Sequence, residues 1–199
     1  MNNKDYSLLQ LDLLKELANV GGGNAATSIS QLINRPVNMT VPTIDILNYN
    51  DIYRRIMSEE EVVNAVIVRM SGSAGGIFLF VISNDAAHDL VDMMLPQGVE
   101  LTDEVSDSAI KESVNILVSS FLNTISQMVN VNLITSVPVI TTDMFGAILS
   151  SVYIESGEYD ENIMIIKNEF FNDGDKIESS LYFVPEPYVL DGLFKLIGI

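Results

Sequence analysis

Apolar residues return every three or four positions along two long stretches of the chain, residues 8–34 and 105–130. This spacing gives a helix one apolar side that can face a core, while polar and small residues cover the other side. We therefore predict two long amphipathic helices, each with one buried face and one open face. The apolar positions are Leu14, Leu17, Ala18, Ala25, Ile29, Leu32 and Ile33 in the first helix and Ile110, Val114, Leu117, Phe121, Ile125 and Met128 in the second.

The segments that follow these two helices repeat in the same order. The first copy is an extended segment (37–46), a short helix (48–57), a β-hairpin (62–70 and 77–82) and a last helix (85–95). The second copy is 131–140, 143–150, 162–170 with 178–184, and 186–197. Hairpins mixed with helices predict an α/β (α+β) fold with antiparallel pairing. We expect one domain over residues 1–199, made of repeats of about 1–100 and 101–199 that form two subdomains about a pseudo-twofold axis, with the long helices outside.

Four positions on and after each long helix match in residue type at a constant offset of 96 residues. Both copies follow the spacing D/S-x3-E-x2-N-x22-P, and steps of i+4 and i+3 place the first three positions on one helical face. A single glutamate on an exposed face is usually only solvated, but solvation alone does not preserve E-x2-N in two copies whose neighbours differ. The pattern predicts two candidate sites, each with a carboxylate beside a carboxamide. Their residues are Asp12, Glu16, Asn19 and Pro42 in the first copy and Ser108, Glu112, Asn115 and Pro138 in the second.

The charge balance narrows the classes of partner. Ten basic against 27 acidic residues give a formal net charge of −17, which argues against nucleic acid and anionic membrane surfaces, since both are recognised through Lys and Arg. There is no cysteine, and the single histidine, His88, falls on a predicted amphipathic helix. The sequence therefore lacks the cysteine and histidine ligands of a typical zinc site. No apolar run approaches the ~18 residues of a membrane span and no signal peptide is evident, so we expect a cytoplasmic protein.

Glycines occur at two places that bear on function. Gly21 to Gly23 lie inside the first long helix, where each glycine costs about 1 kcal/mol relative to alanine. Gly23 and its counterpart Ser119 follow the two asparagines by one turn, and we expect these small residues to leave room for a partner. The glycine-rich turn 72–76 lacks the Gly-Lys-Ser/Thr ending and joins two strands, so a phosphate-binding loop is excluded there.

The duplicated motif and the stretch Glu16-Leu-Ala-Asn19-Val-Gly-Gly-Gly-Asn24-Ala-Ala resemble the CheC family of chemotaxis phosphatases, within the CheC/CheX/FliY group. The resemblance covers the whole chain, because the family is itself a duplicated α/β unit of about this length. It implies dephosphorylation of the phospho-aspartate of the response regulator CheY. By this resemblance Glu16 with Asn19 and Glu112 with Asn115 are two catalytic pairs.

The resemblance also implies roles for the remaining motif residues and a set of partners. Asp12 and Ser108 occupy the variable first position of the motif, and we interpret Pro42 and Pro138 as structural markers of the strand. Relatives of CheC bind the receptor deamidase CheD, which stimulates the phosphatase, so phosphorylated CheY and CheD are the implied partners. No cofactor of its own is implied, with Mg²⁺ expected on the response regulator. The internal duplication favours a monomer.

A carboxamide is sufficient for the implied chemistry, because phosphoryl transfer requires mainly positioning and charge stabilisation. An asparagine side chain has a donor and an acceptor, and can hold a water in line with phosphorus without titrating. We expect Asn19 and Asn115 to orient this water, and Glu16 and Glu112 to pair with a lysine of the regulator. The alternative is a non-enzymatic CheD-binding or flagellar-switch-like scaffold whose sites are vestigial.

Overall fold

The helices and strands of the two repeats follow the predicted order. The computed structural model describes residues 6–40, 43–95, 102–155, 162–172, 175–186 and 188–198. The helices are α1 (Leu8–Ile33), α2 (Tyr49–Arg55), α3 (Asn84–Met94), α4 (Asp103–Val129), α5 (Phe145–Glu155) and α6 (Val189–Ile197). The strands are β1 (Asn38–Met39), β2 (Thr43–Asn48), β3 (Val62–Gly72), β4 (Gly76–Ile82), β5 (Leu133–Thr135), β6 (Val139–Met144), β7 (Asn162–Asn172) and β8 (Asp175–Pro185). The predicted α/β fold with a duplicated unit is confirmed.

The two long helices begin and end in equivalent ways. The side chains of Ser7 and Thr102 each accept a backbone N–H of the first turn, which satisfies one of the otherwise unpaired donors there. Each helix ends at an asparagine in the left-handed conformation, Asn34 with φ 53° and Asn130 with φ 52°. Asparagine tolerates this conformation better than most residues. The sequence repeat therefore extends to the helix ends, where the left-handed asparagine directs the chain towards the following strand.

A serine in the last turn of each long helix forms a hydrogen bond with the backbone of the segment that follows. The Ser30 hydroxyl accepts the backbone N–H of Val37 at 2.9 Å. The Ser126 hydroxyl donates to the carbonyl oxygen of Val131 at 2.5 Å. Because the two serines are also 96 residues apart, both repeats direct the returning chain in the same way.

The described strands form one antiparallel sheet in which the repeats exchange strands. Its order is β1-β7-β8-β4-β3-β5, with β2 next to β7 and β6 next to β3. The two hairpins meet at the centre, where Leu79 pairs with Tyr182. These residues are equivalent in the repeats, so the pseudo-twofold axis passes between β4 and β8. The two subdomains that we expected share a single sheet, because each hairpin finds the partner for its outer strand in the other repeat.

α1 and α4 lie side by side on one face of this sheet and bury their apolar stripes in a common core. Gly21 permits their close approach, since a Cβ at that position would lie 2.9 Å from Phe121 Cα. The predicted stripes are wrong at their ends, where Leu32 is 54% exposed and Met128 is 48% exposed. Both residues lie in the last turn of their helix, so burial is incomplete there although the apolar spacing continues.

The short helices α2 and α5 cover the opposite face of the sheet, over a second core. Tyr49 of α2 stacks on Tyr153 of α5 with ring centroids 4.6 Å apart. The Tyr49 hydroxyl is 2.7 Å from the hydroxyl of Ser150. The long helices that carry the motif and the short helices therefore lie on opposite faces of the sheet.

Candidate functional site

The first copy of the motif lies on the open side of α1. Asp12, Glu16 and Asn19 are all exposed, whereas Leu14 and Leu17 on the same turns are buried. The three polar side chains thus share one accessible face, as their spacing predicts. Pro42, the fourth member of this copy, lies outside the described residues.

The second copy of the motif lines a surface groove of about 540 Å³. Ser108, Glu112 and Asn115 project from α4, and Pro138 lies between β5 and β6 on the other side of the groove. The long gap between Asn115 and Pro138 follows from geometry. The remaining part of α4 advances about 22 Å at ~1.5 Å per residue, and the extended chain after it returns a similar distance at ~3.3 Å per residue. The proline is therefore brought back to the level of the asparagine.

An extra residue in the strand pairing accompanies Pro138. Residues 136–138 face only two residues of β3, which is the arrangement of a β-bulge and lets a proline, which has no N–H, interrupt the strand. The backbone N–H of Ser136 donates to the Arg69 carbonyl oxygen at 2.9 Å, and its hydroxyl accepts the Arg69 N–H at 3.0 Å. The bulge thus keeps both backbone groups of Arg69 paired. The flanking pairs are Met70–Thr135 and Ile67–Val139, and the first repeat shows the same shift between Met39–Phe170 and Thr43–Lys167.

The candidate catalytic side chains have no partner within the described part of the chain. No hydrogen bond or ion pair there engages Glu16, Asn19, Glu112 or Asn115. Such groups are hydrated in the free protein and can exchange water for a ligand at little net cost. Each pair offers an acceptor-only carboxylate and a carboxamide that can both donate and accept. This arrangement suits binding to a basic side chain together with positioning of a water.

A lysine that is not part of the predicted motif precedes the glutamate in each copy. Lys15 and Lys111 are 96 residues apart, so the offset that revealed the motif could have identified them. Lys15 Nζ lies 3.8 Å from Asp12 Oδ1 on the surface of α1. Lys111 lines the groove of the second copy and has no ion pair among the described residues. The two lysines therefore differ in ion pairing: Lys15 pairs with Asp12, whereas the equivalent of Asp12 in the second copy is the uncharged Ser108.

The three glycines of α1 have different environments. Gly21 and Gly22 are buried, and Gly21 lies against Phe121 of α4. A Cβ at Gly23 would have no atom within 4 Å. Gly23 thus leaves open surface one turn after Asn19, where we expected room for a partner.

The remaining features of the described residues do not indicate a second polar site. An apolar cavity of about 340 Å³ lies between α1, α4 and α6, and on α1 it is lined by Leu14 and Leu17 rather than by Glu16. His88 is exposed on α3. Within the described residues, no group of three or more His, Asp or Glu side chains is arranged to hold a metal ion. No described helix is long and apolar enough to span a bilayer.

Comparison with known proteins shows a similarity to one family. The CheC-like family model matches residues 9–46 and 105–141, the two regions that carry the motif. The CheY-P phosphatase CheC of Bacillus subtilis (strain 168) is 26% identical over 196 residues, which cover 95% of this chain and 94% of that protein. The chain is thus similar to the CheC-like family in both of its repeats. The relationship to CheC supports a role as a chemotaxis phosphatase.

Flagellar switch proteins are also similar to this CheC-like chain. The flagellar motor switch phosphatase FliY of Bacillus subtilis (strain 168) is 27% identical over 126 residues, which cover 61% of this chain but 32% of that protein. The crystal structure of Thermotoga maritima FliY superposes with a TM-score of 0.73 at 18% identity, covering 96% of this chain and 97% of that chain. A chain of the FliM–SpeE complex from H. pylori gives a TM-score of 0.69 at 12% identity, covering 98% of this chain and 97% of that chain. At such identities the two structural likenesses show the fold alone.

Proposed function

We propose that this CheC-like protein hydrolyses the aspartyl phosphate of a CheY-type response regulator, with Glu16 and Asn19 forming one site and Glu112 and Asn115 the other. The observation that supports this most strongly is the groove on α4, which collects all four members of the second motif around an unpartnered carboxamide. The similarity to CheC along almost the whole chain supports the same reaction.

In the proposed reaction the asparagine holds a water in line with the phosphorus. The water oxygen forms a new bond to phosphorus, and the bond from phosphorus to the aspartyl oxygen breaks, leaving its electron pair on the regulator's carboxylate. Both protons of the water stay with the inorganic phosphate, which is released as dihydrogen phosphate. A tenfold change in rate corresponds to about 1.4 kcal/mol, so a 100-fold acceleration by orientation requires about 2.7 kcal/mol. The Mg²⁺ expected on the regulator would neutralise phosphoryl charge, and the protein would supply position.

The glutamate of each pair is proposed to dock the regulator. Glu16 and Glu112 are exposed and unpaired among the described residues, so each carboxylate can accept hydrogen bonds from a lysine ammonium of the partner. A hydrogen bond to a charged group contributes about 1.5–3 kcal/mol. This is enough to hold the asparagine in register with the phosphoryl group.

Phosphate release from a phosphorylated CheY tests the proposal directly. We expect the wild type to accelerate release, Glu16→Ala with Asn19→Ala or Glu112→Ala with Asn115→Ala to lower the rate, and the quadruple variant to abolish the acceleration. A quadruple variant that matches the wild type would rule out the assigned sites.

A matched control uses residues of the same types on the same helix. Glu104 and Asn123 are exposed on α4 outside the groove, so Glu104→Ala with Asn123→Ala should leave the rate unchanged. A loss of activity in this control equal to that of the Glu112 and Asn115 variant would mean that the motif has no special role.

Regulation by CheD and a monomeric state complete the proposal, and both rest on the family relationship and the internal duplication. The second candidate function is a scaffold with vestigial sites, which the fold shared with FliM favours. A wild type that leaves phosphorylated CheY unchanged both alone and with CheD, yet binds CheD in sedimentation velocity, would favour the scaffold.

A further inference from the structure

We propose that Lys111 binds the phosphoryl oxygens of the substrate in the groove of α4, and that Asp12 suppresses the same interaction of Lys15 in the site on α1. This proposal rests on the proposed function and adds a substrate-binding residue and a difference between the sites. The one-residue change from Ser108 to Asp12 sets that difference.

The position of Lys111 supports contact with the substrate. It lines the groove together with Glu112, Asn115 and Pro138, so its side chain borders the space that the acyl phosphate would occupy. Lys111 is partly buried, whereas Lys15 is exposed. A partly desolvated ammonium interacts more strongly with an anion than a fully hydrated one, because screening by water is weaker.

The ammonium of Lys111 is available for this contact. Among the described residues it has no ion pair, and Asp107, one turn earlier on α4, does not pair with it. The Ser108 hydroxyl donates to the carbonyl oxygen of Glu104 at 2.8 Å, so it does not occupy the lysine either. The cation can therefore donate its hydrogen bonds to a ligand.

Lys15 is in the opposite situation, because the first motif position is an aspartate. The carboxylate of Asp12 lies 3.8 Å from Lys15 Nζ, and a phosphoryl group approaching Lys15 would meet this negative charge. An exposed pair of this kind is weak, so it lowers the attraction for an anion without removing it. The site on α4 is therefore the one with the stronger attraction for phosphoryl oxygens.

The test measures each site alone. Asn19→Ala leaves only the site on α4, and Asn115→Ala leaves only the site on α1. In the first background, Lys111→Gln should raise KM for phosphorylated CheY about tenfold, with a smaller effect on kcat, and Lys111→Arg should restore much of the loss. Ser108→Asp should raise KM about threefold. In the second background, Asp12→Ser should lower KM by a similar factor.

Two readouts separate charge recognition from a structural role. The salt dependence of kcat/KM should become shallower in Lys111→Gln, and affinity for CheY loaded with beryllofluoride should fall while affinity for unloaded CheY stays the same. Lys195→Gln, an equal charge change at an exposed position of α6, should alter neither.

Different results would refute the role of Lys111 and the phosphatase activity itself. If the wild type releases phosphate and Asn115→Ala impairs it, while Lys111→Gln and Ser108→Asp keep wild-type KM and salt dependence, the role of Lys111 is refuted. If the wild type releases no phosphate and Lys111→Gln binds beryllofluoride-loaded CheY as the wild type does, both proposals are overturned.

Discussion

Replacing Gly21 or Gly23 of α1 singly by alanine separates the effect of helix packing from that of intrinsic helix propensity. At Gly21 an added Cβ would lie 2.9 Å from both Cα and Cδ2 of Phe121, and at Gly23 it would meet no atom within 4 Å. Since the Cα belongs to the backbone of α4, the two helices must move apart to admit the methyl group at Gly21. Such overpacking typically costs about 1–3 kcal/mol.

The two variants share one favourable contribution. Alanine is better than glycine in a helix by about 1 kcal/mol, and this term applies to both positions. Gly23→Ala should therefore stabilise the protein by about 1 kcal/mol. Gly21→Ala should be less stable than Gly23→Ala by about 1–3 kcal/mol, because the shared term cancels in the comparison and leaves the clash.

Urea unfolding followed by circular dichroism gives the required difference in free energy, and thermal unfolding gives a second measure. For a protein of this size, 1 kcal/mol corresponds to about 2–4 °C in Tm. If the two variants were equally stable, α1 and α4 would not be in contact at Gly21. If Gly23→Ala were less stable than Gly21→Ala, the predicted order of stability would be wrong.

Three other outcomes follow from the described contacts. Asn19→Asp with Asn115→Asp should reduce phosphate release up to about 100-fold, because an anion repels the phosphoryl oxygens; undiminished release would contradict water positioning by a carboxamide. Ser30→Ala should lower the free energy of unfolding in urea by about 1–2 kcal/mol through the lost contact with Val37, and no loss would contradict that role. Burial raises the pKa of the Tyr182 phenol, so the folded chain keeps a proton that the unfolded chain loses above pH ~10. Tyr182 should then lower stability by about 1.4 kcal/mol per pH unit as pH rises, and Tyr182→Phe should reduce the slope by this amount in urea titrations at alkaline pH. The share of Tyr53, whose pKa is also raised by burial, should remain.

The sequence predicted the local structure well because each element carries its own signal. Helical spacing located α1 and α4, and the i+4 and i+3 steps placed Glu16 and Asn19 on one accessible face. Leu32 and Met128 were assigned wrongly because apolar spacing records which residues can be buried, while burial depends on whether another element lies against that turn. The last turn of each helix lacks full cover.

Contacts between residues that are far apart in the sequence were harder to predict. The exchange of strands between the repeats could not be read from local patterns, since β2 fits either hairpin by its alternation alone. The bulge before Pro138 depends on a one-residue change in pairing between β3 and its neighbours. Lys15 and Lys111 were accessible to sequence reasoning, because they repeat at the same offset as the motif, but their different surroundings depend on whether Asp12 reaches the ammonium.

The exchange of strands also affects how the chain folds during its synthesis. Thr43 of β2 pairs with Lys167 of β7, so the first repeat must leave the ribosome and wait for most of the second before this part of the sheet can form. Until then the hairpin of β3 and β4 exposes both of its edges, which can attract strands of other chains. Pairing over such long sequence distances slows folding. Expression of residues 1–100 alone should therefore yield an aggregating fragment or a strand-exchanged dimer, in which a second copy supplies what β5 to β8 supply here.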